Sequence, residues 1–299
     1  MIGVSIQSTG EYMTPLEKAE ARFGWKLVAP TILILSLLIL YPLTYNVYLS
    51  FFDVQLNGSK TFVGFENYLK LVSNPDYYAA IWTTTLYLFG TVVGTTLLGL
   101  AMALLLRDPF KGRGLVNAAI MLPYVAPVIS VVFGWQFLFD PISGVVNYLF
   151  VDVLPIWSER SNLIGDPDSA LWVVVIFDVW KHAPIAYLLI LSKLVSISSE
   201  QYEAAAIDGY GPIGRFFHVT LPELYFVLAT VVLLRLIWNL NRFEDVYLLA
   251  PNVETLPIFT YYQAFTGVID QGLAAATSVI QLAVLSVFIW FYIKKVMKW

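Results

Sequence analysis

Six long apolar runs separated by polar segments set the pattern of this chain: roughly Trp25 to Phe52, Ala79 to Leu106, Val116 to Phe139, Leu171 to Leu194, Glu223 to Leu240 and Gly272 to Val296. Each approaches or exceeds the roughly 20 residues a helix needs to cross a bilayer. The pattern predicts an all-α polytopic membrane protein with six transmembrane helices. The segments Asp53 to Tyr78, Asp140 to Ala170 and Asn241 to Gln271 carry turn signals (Asn57-Gly58, Asn74-Pro75, Asp140-Pro141, Asp166-Pro167), and none is long enough to form a domain of its own. There is no internal repeat. Residues 1–24 are polar and lack the charged start, short apolar core and cleavage site of a signal peptide, so they read as a retained cytoplasmic segment before one domain spanning 25–299.

One polar interruption, Ser198 to Pro222, has helical character of its own. Ser198 followed by Gln201 has the form of a capping box, and the strong helix formers from Glu203 onward stop at Gly209. Gly211-Pro212 then predicts a second short helix, with Ile213, Phe216 and Phe217 on one side, ended by Leu221-Pro222. Two short helices joined by glycines between two spans make a rigid knob, suited to pushing on another protein.

Composition agrees with a membrane chain: 59% of the 299 residues are hydrophobic and 13% charged, against about 25% charged in soluble proteins. Cys is absent, which removes disulfides and thiolate metal sites, and no basic run suggests a nucleic-acid partner. Charge also orients the spans. With the N-terminus in the cytoplasm, the outer segments hold only Lys60, Lys70, Arg160 and Arg242, and Lys181 and Arg235 lie inside spans. The other eleven of the 17 Lys and Arg fall on the inner side. The positive-inside rule therefore places both termini and the Ser198 loop in the cytoplasm of a multi-pass cell-membrane protein. Lys294, Lys295 and Lys298 beside Trp290, Tyr292 and Trp299 read as an interfacial anchor.

Ionisable residues within spans are costly and face protein or water. Asp178, Lys181 and His182 share one face of the fourth span, and Lys181 lies about 15 Å into it, near the midplane. Asp178 can pair with Lys181, or with Arg235 of the fifth span across a helix interface. The plain alternative to a transport role is a self-neutralised group holding helices together. Pro184 follows, where a kink would free a carbonyl. No second His or Cys stands near His182 to complete a metal site, so it reads as a packed histidine. Trp238-Asn239-Leu240-Asn241-Arg242-Phe243-Glu244-Asp245 mixes aromatic, amide and carboxylate groups, the chemistry that holds a sugar by its ring face and hydroxyls. An interfacial aromatic belt fits the same composition.

No GxxxxGK[ST], GxSxG or HExxH occurs, so the chain has no P-loop of its own and few parts for nucleophile or metal chemistry. At this level a transporter subunit, a receptor, a membrane enzyme and a structural scaffold all stay open; among them, Asp178, Lys181 and Arg235 would serve an ion-coupled secondary transporter, and Asp178 with His182 a membrane enzyme.

Glu203-Ala204-Ala205, Asp208-Gly209, Phe216 and Val219-Thr220-Leu221-Pro222 closely resemble the EAA loop of bacterial and archaeal ABC-importer permeases, roughly EAAxxDGAxxxxxFxxVTLP. Tyr210-Gly211-Pro212 departs from the usual Ala-Ser-x. Tyr41-Pro42, Phe62-Val63-Gly64-Phe65-Glu66-Asn67-Tyr68, Gly99-Leu100-Ala101, Trp180-Lys181 and Phe243-Glu244 extend the resemblance along the chain, toward the maltose and trehalose type of carbohydrate-uptake permease. The resemblance implies a type I ABC importer transmembrane domain and an importer of a di- or oligosaccharide. It implies as partners a second homologous permease subunit, two ATPase subunits that bind ATP and Mg, and an extracytoplasmic sugar-binding protein. The chain itself would carry no cofactor, no metal and no catalytic residue. The expected ATPase-coupling residues are Glu203, Ala204, Ala205, Asp208, Gly209, Phe216, Leu221 and Pro222, with Glu203 making a charged contact. The expected sugar contacts are Trp180, Lys181, Trp238, Asn239, Asn241 and Glu244.

Overall fold

A proline, a capping side chain or both start the long helices. In the computed structural model, which describes residues 15–55 and 58–296, α4 (Pro75–Leu105) begins where the Asn74 side chain accepts from the amide of Asp76 at 2.9 Å, with Pro75 in the first turn. The Asp166 side chain caps α8 (Pro167–Leu194) in the same way. Asp270 accepts from the Leu273 amide at 2.8 Å to start α14 (Gln271–Lys295). Two of the expected turn signals are therefore helix starts.

The first apolar run forms α1 (Pro15–Leu35), a π-helical stretch at Ser36–Leu40 and α2 (Tyr41–Leu49). It begins ahead of the expected Trp25, and Phe52 belongs instead to a short strand. That strand, β1 (Phe52–Val54), pairs antiparallel with β2 (Lys60–Phe62), Phe52 opposite Phe62. The helix α3 (Glu66–Ser73) follows. Residues 1–14, Asn57 of the expected turn, and Lys298 and Trp299 of the expected anchor lie outside the described residues.

The third run is not a single straight span. Pro127 forces Ala126 into extended backbone (φ −64°, ψ 141°), which splits the run into α5 (Arg113–Val125) and α6 (Val128–Leu138), bent by 95°. The 13 residues of α5 reach only about 20 Å, short of a hydrocarbon core of about 30 Å. Among the described residues five helices are long and apolar enough to cross a membrane, and the bent pair makes six if it counts as one span.

A three-residue turn, α7 (Val145–Asn147), leads to a π segment at Tyr148–Val153. After α8 come α9 (Ser199–Ile207), α10 (Pro212–Arg215), a π segment at Phe216–Thr220 and α11 (Leu221–Leu240), then α12 (Glu244–Leu249) and α13 (Leu256–Phe265).

Small residues bring the central helices together. A Cβ on Gly99 of α4 would come within 2.7 Å of Ala186 Cβ and 2.9 Å of the Tyr187 amide nitrogen on α8, so only glycine allows that approach. Two buried apolar clusters flank this contact. One holds Tyr87, Phe177, Val246 and Ile258. The other holds Ala103, Tyr187, Ile190, Leu224 and Val231, toward the side bearing the Ser198 loop.

Candidate functional site

The Ser198 loop folds largely as its residues dictate. Ser198 caps α9, its hydroxyl accepting from the Glu200 amide at 3.2 Å. Gln201 does not close a capping box, because its amide reaches Glu223 at 3.4 Å. At the other end Gly209 takes φ +86°, its amide bonds to the Ala206 carbonyl at 3.1 Å, and the Tyr210 amide bonds to the Ala205 carbonyl at 3.0 Å. That pair of bonds is a Schellman closure, and the left-handed turn it needs is one that glycine takes without a Cβ penalty. Ala205 is buried against the body, whereas Glu203, Ala204, Ile207, Asp208 and Gly209 are exposed.

The second half of the knob departs from expectation. Leu221-Pro222 does not end the helix: residues from Pro212 run to Leu240 as one 29-residue helix. The π stretch at Phe216–Thr220 ahead of Pro222 explains this, since a proline in the first turn after a change of hydrogen-bond register removes a donor that has no α-helical partner to lose. The knob is thus one short helix hinged by Gly209 to a rod about 43 Å long.

Far along that rod lies a buried charge network. Asp178 Oδ1 accepts from Arg235 Nη2 and, at 3.3 Å, from Asn239 Nδ2. Its Oδ2 accepts from the Tyr87 hydroxyl at 3.1 Å and lies 3.2 Å from His182 Nδ1. Asn239 Nδ2 also donates to Thr91 Oγ1 at 2.6 Å. One turn further on α8, Lys181 Nζ donates to Asp245 Oδ1 at 2.8 Å, and the other Asp245 oxygen lies 3.4 Å from Arg242 Nη1. Asp178, Lys181, Arg235, Asn239 and Asp245 are all buried. The network therefore ties α4, α8, α11 and α12 together.

Sequence reasoning offered Asp178 two partners, and the structure gives it Arg235. Lys181 takes Asp245, a partner the sequence reading missed. One signal was available: Asp178, Lys181 and Arg235 place two cations against one anion within spans, so burial demanded a second carboxylate. Asp178, His182 and Asp245 also bring three ligand atoms within 4.8 Å of one another, close enough to hold a metal ion. Both carboxylates are already paired with buried cations, and a divalent ion would leave the site strongly positive, so the group works as an ion-pair network.

Of the residues expected to touch sugar, Lys181 and Asn239 are engaged inside this network and face no open space. Trp238, Asn241 and Glu244 come together with Ile237, Arg242 and Phe243 around an open cleft of about 440 Å³. Trp180 lies apart from this cleft, 40% exposed, its ring 5.5 Å from Trp135.

Comparison with known proteins turns this architecture into a family assignment. Residues 95–294 match the family described as binding-protein-dependent transport system inner membrane component. The inner membrane ABC transporter permease protein YcjO of Escherichia coli (strain K12) is 38% identical over 281 residues, covering 93% of this chain and 96% of that protein. The trehalose/maltose transport system permease protein MalF of Thermococcus litoralis is 32% identical over 289 residues, covering 93% and 95%. In fold, the chain resembles one in the crystal structure of a bacterial alginate ABC transporter in complex with alginate pentasaccharide-bound periplasmic protein, with a TM-score of 0.77, 20% identity, and coverage of 95% of this chain and 99% of that one. With a family match over most of its length and full-length relatives above 30% identity, the chain belongs to the binding-protein-dependent transport system inner membrane components: it is a multi-pass permease subunit of an ABC transporter, not an enzyme.

Proposed function

We propose that this permease forms one half of the membrane pathway of an ATP-driven importer for a di- or oligosaccharide of the trehalose or maltose kind, delivered by an extracytoplasmic binding protein. The chain's relatives support the substrate class: MalF of Thermococcus litoralis and, at 28% identity over 285 residues, the trehalose transport system permease protein SugA of Mycobacterium tuberculosis. A second homologous permease completes the pathway, and two ATPase subunits bind ATP and Mg. Both termini and the Ser198 loop face the cytoplasm, in keeping with the charge bias.

The observation that carries this reading is the build of the coupling loop. A short helix with Glu203 exposed is hinged at Gly209 to a rod whose far end holds Arg235 and Asn239 in the buried network. Movement of an ATPase surface at α9 is passed along the rod as a rigid-body displacement of packed helices. Trp238, Asn241 and Glu244 at the rod's outer end, with Trp180 on the neighbouring span, supply the aromatic and polar surface for sugar. Lys181 and Asn239 act from behind by fixing the helices that carry it.

The test is ATP hydrolysis by the complete complex in vesicles with its loaded binding protein. Glu203→Arg reverses the charge at the ATPase contact, and Gly209→Pro forbids the positive φ of the hinge. Each abolishes substrate-stimulated hydrolysis while the permease still inserts into the membrane. Full stimulation in both variants refutes coupling through this loop.

A further inference from the structure

We propose that Glu223 is the positioning residue that fixes the coupling helix to the spans; the role rests on the ATP-driven reading above. Glu223 follows Pro222 in the rod. Its Oε2 accepts from Lys193 Nζ at 2.7 Å, in the last turn of α8, and its Oε1 accepts from Gln201 Nε2 at 3.4 Å, on α9. One carboxylate thus joins the coupling helix, the rod and the span that carries Asp178 and Lys181.

A second tie runs beside it. The Tyr202 hydroxyl on α9 lies 2.9 Å from Thr220 Oγ1, and the Arg107 guanidinium, just beyond the end of α4, sits 4.6 Å over the Tyr202 ring. Apolar packing holds α9 through Ala205, its one buried residue, and through Tyr202, half-buried against the cluster that contains Leu194 and Leu224. The polar ties add direction to that packing, so a push on the exposed Glu203 and Ile207 face reaches α8 and the rod through Glu223 as well as through Tyr202. The Lys193–Glu223 pair also ties α8 to the rod at the loop end, as the Asp178–Arg235 pair does deep within the spans. Tied at both ends, α8 and the rod move as one body with α9.

The experiment uses the complete complex, reconstituted in vesicles with its loaded binding protein. Lys193 and Glu223 each expose about a third of their side chains (33% and 34%), so neither is needed to fill a core. Glu223→Lys and Lys193→Glu each lower the ratio of stimulated to basal ATP hydrolysis about two- to fivefold, the range open to an ion pair at the surface. The ATPase subunits still co-purify, and the exchange Lys193→Glu with Glu223→Lys restores the ratio. A normal ratio in both single variants overturns the proposal, as does an exchange that restores nothing or a loss of co-purification. Glu203→Arg measured in parallel separates the two claims. If Glu203→Arg abolishes stimulation while the Glu223 and Lys193 variants behave as wild type, only the positioning role falls. If Glu203→Arg and Gly209→Pro both retain full stimulation, coupling through the loop falls and the positioning role falls with it.

Discussion

The Ser198 loop, proposed above as the coupling element, and the charge network are both carried by one polypeptide rod, yet they are held in place by opposite means. The loop is exposed, built from neighbours in sequence, and closed by backbone hydrogen bonds at Gly209. The network is buried, and its members come from Tyr87, Thr91, Asp178, Lys181, Arg235, Asn239 and Asp245 on four helices. On the proposed function the difference is a division of labour: a surface that meets another protein keeps its charges in water, where they cost little, whereas charges buried among the spans must be neutralised within the chain. Damage to the network should therefore appear first as lost stability, and damage to the loop as lost coupling.

The largest expected effect breaks the network at its hub. Asp178→Leu leaves Arg235, 1% exposed, without its carboxylate, and its Nε and Nη1 have no other partner among the described residues. Removing one member of a buried pair costs about 3–5 kcal/mol. The double variant Asp178→Leu with Arg235→Leu removes the stranded charge and recovers part of that loss. Thermal unfolding of the detergent-purified complex, followed by size-exclusion fluorescence, reads both. A double variant no more stable than Asp178→Leu would mean that the hub acts through packing rather than through charge.

A smaller effect is expected in the loop. Gly209→Ala adds a Cβ at φ +86° with no heavy atom within 4 Å of it, so the cost is conformational and not a clash. A non-glycine residue in that region loses about 1–2 kcal/mol. Hydrogen exchange at the α9 amides rises by the corresponding factor, while exchange in α4 and α8 stays as in the wild type. Faster exchange spreading into α8 would show that loop and network are one cooperative unit, against the contrast drawn above.

The same contrast explains what could be read from the residues. Ser198, Glu203, Asp208 and Gly209 act within a turn or two of one another, so local rules locate the short helix and its stop. Asp178 and Arg235 lie 57 residues apart, and the partner of Lys181 lies 64 residues away. No periodicity links such positions, and Asp245 read as one polar group among several beyond a span. The Ala126-Pro127 break was missed because hydropathy is continuous through it, and only the restriction a proline places on the preceding residue reveals the bend. The second half of the knob failed for the opposite reason. Proline reads as a stop, and the π stretch that lets the helix run on through Pro222 has no signature in the order of apolar residues.

Glu254 stands between the two cases and gives the smallest effect. It lies after α12, half-buried beside a cleft of about 200 Å³ lined also by Asp76, Thr83 and Asn252, and among the described residues it has no salt bridge. Burial, and next the charge of Asp76, raise its carboxyl above the ordinary value of 4.5. A carboxyl whose pKa is higher folded than unfolded holds its proton more firmly in the folded chain, so stability falls as pH rises through the folded value. The penalty is complete above that pH, shrinks as the medium is acidified, and is gone below the unfolded value. Glu254→Gln removes it, so the variant should exceed the wild type in Tm at neutral pH, with the gap closing toward pH of about 4.5. Asp76→Asn should close part of the same gap in the wild-type background. A gap that is constant with pH would place Glu254 with the exposed loop carboxylates, for which water alone is partner enough.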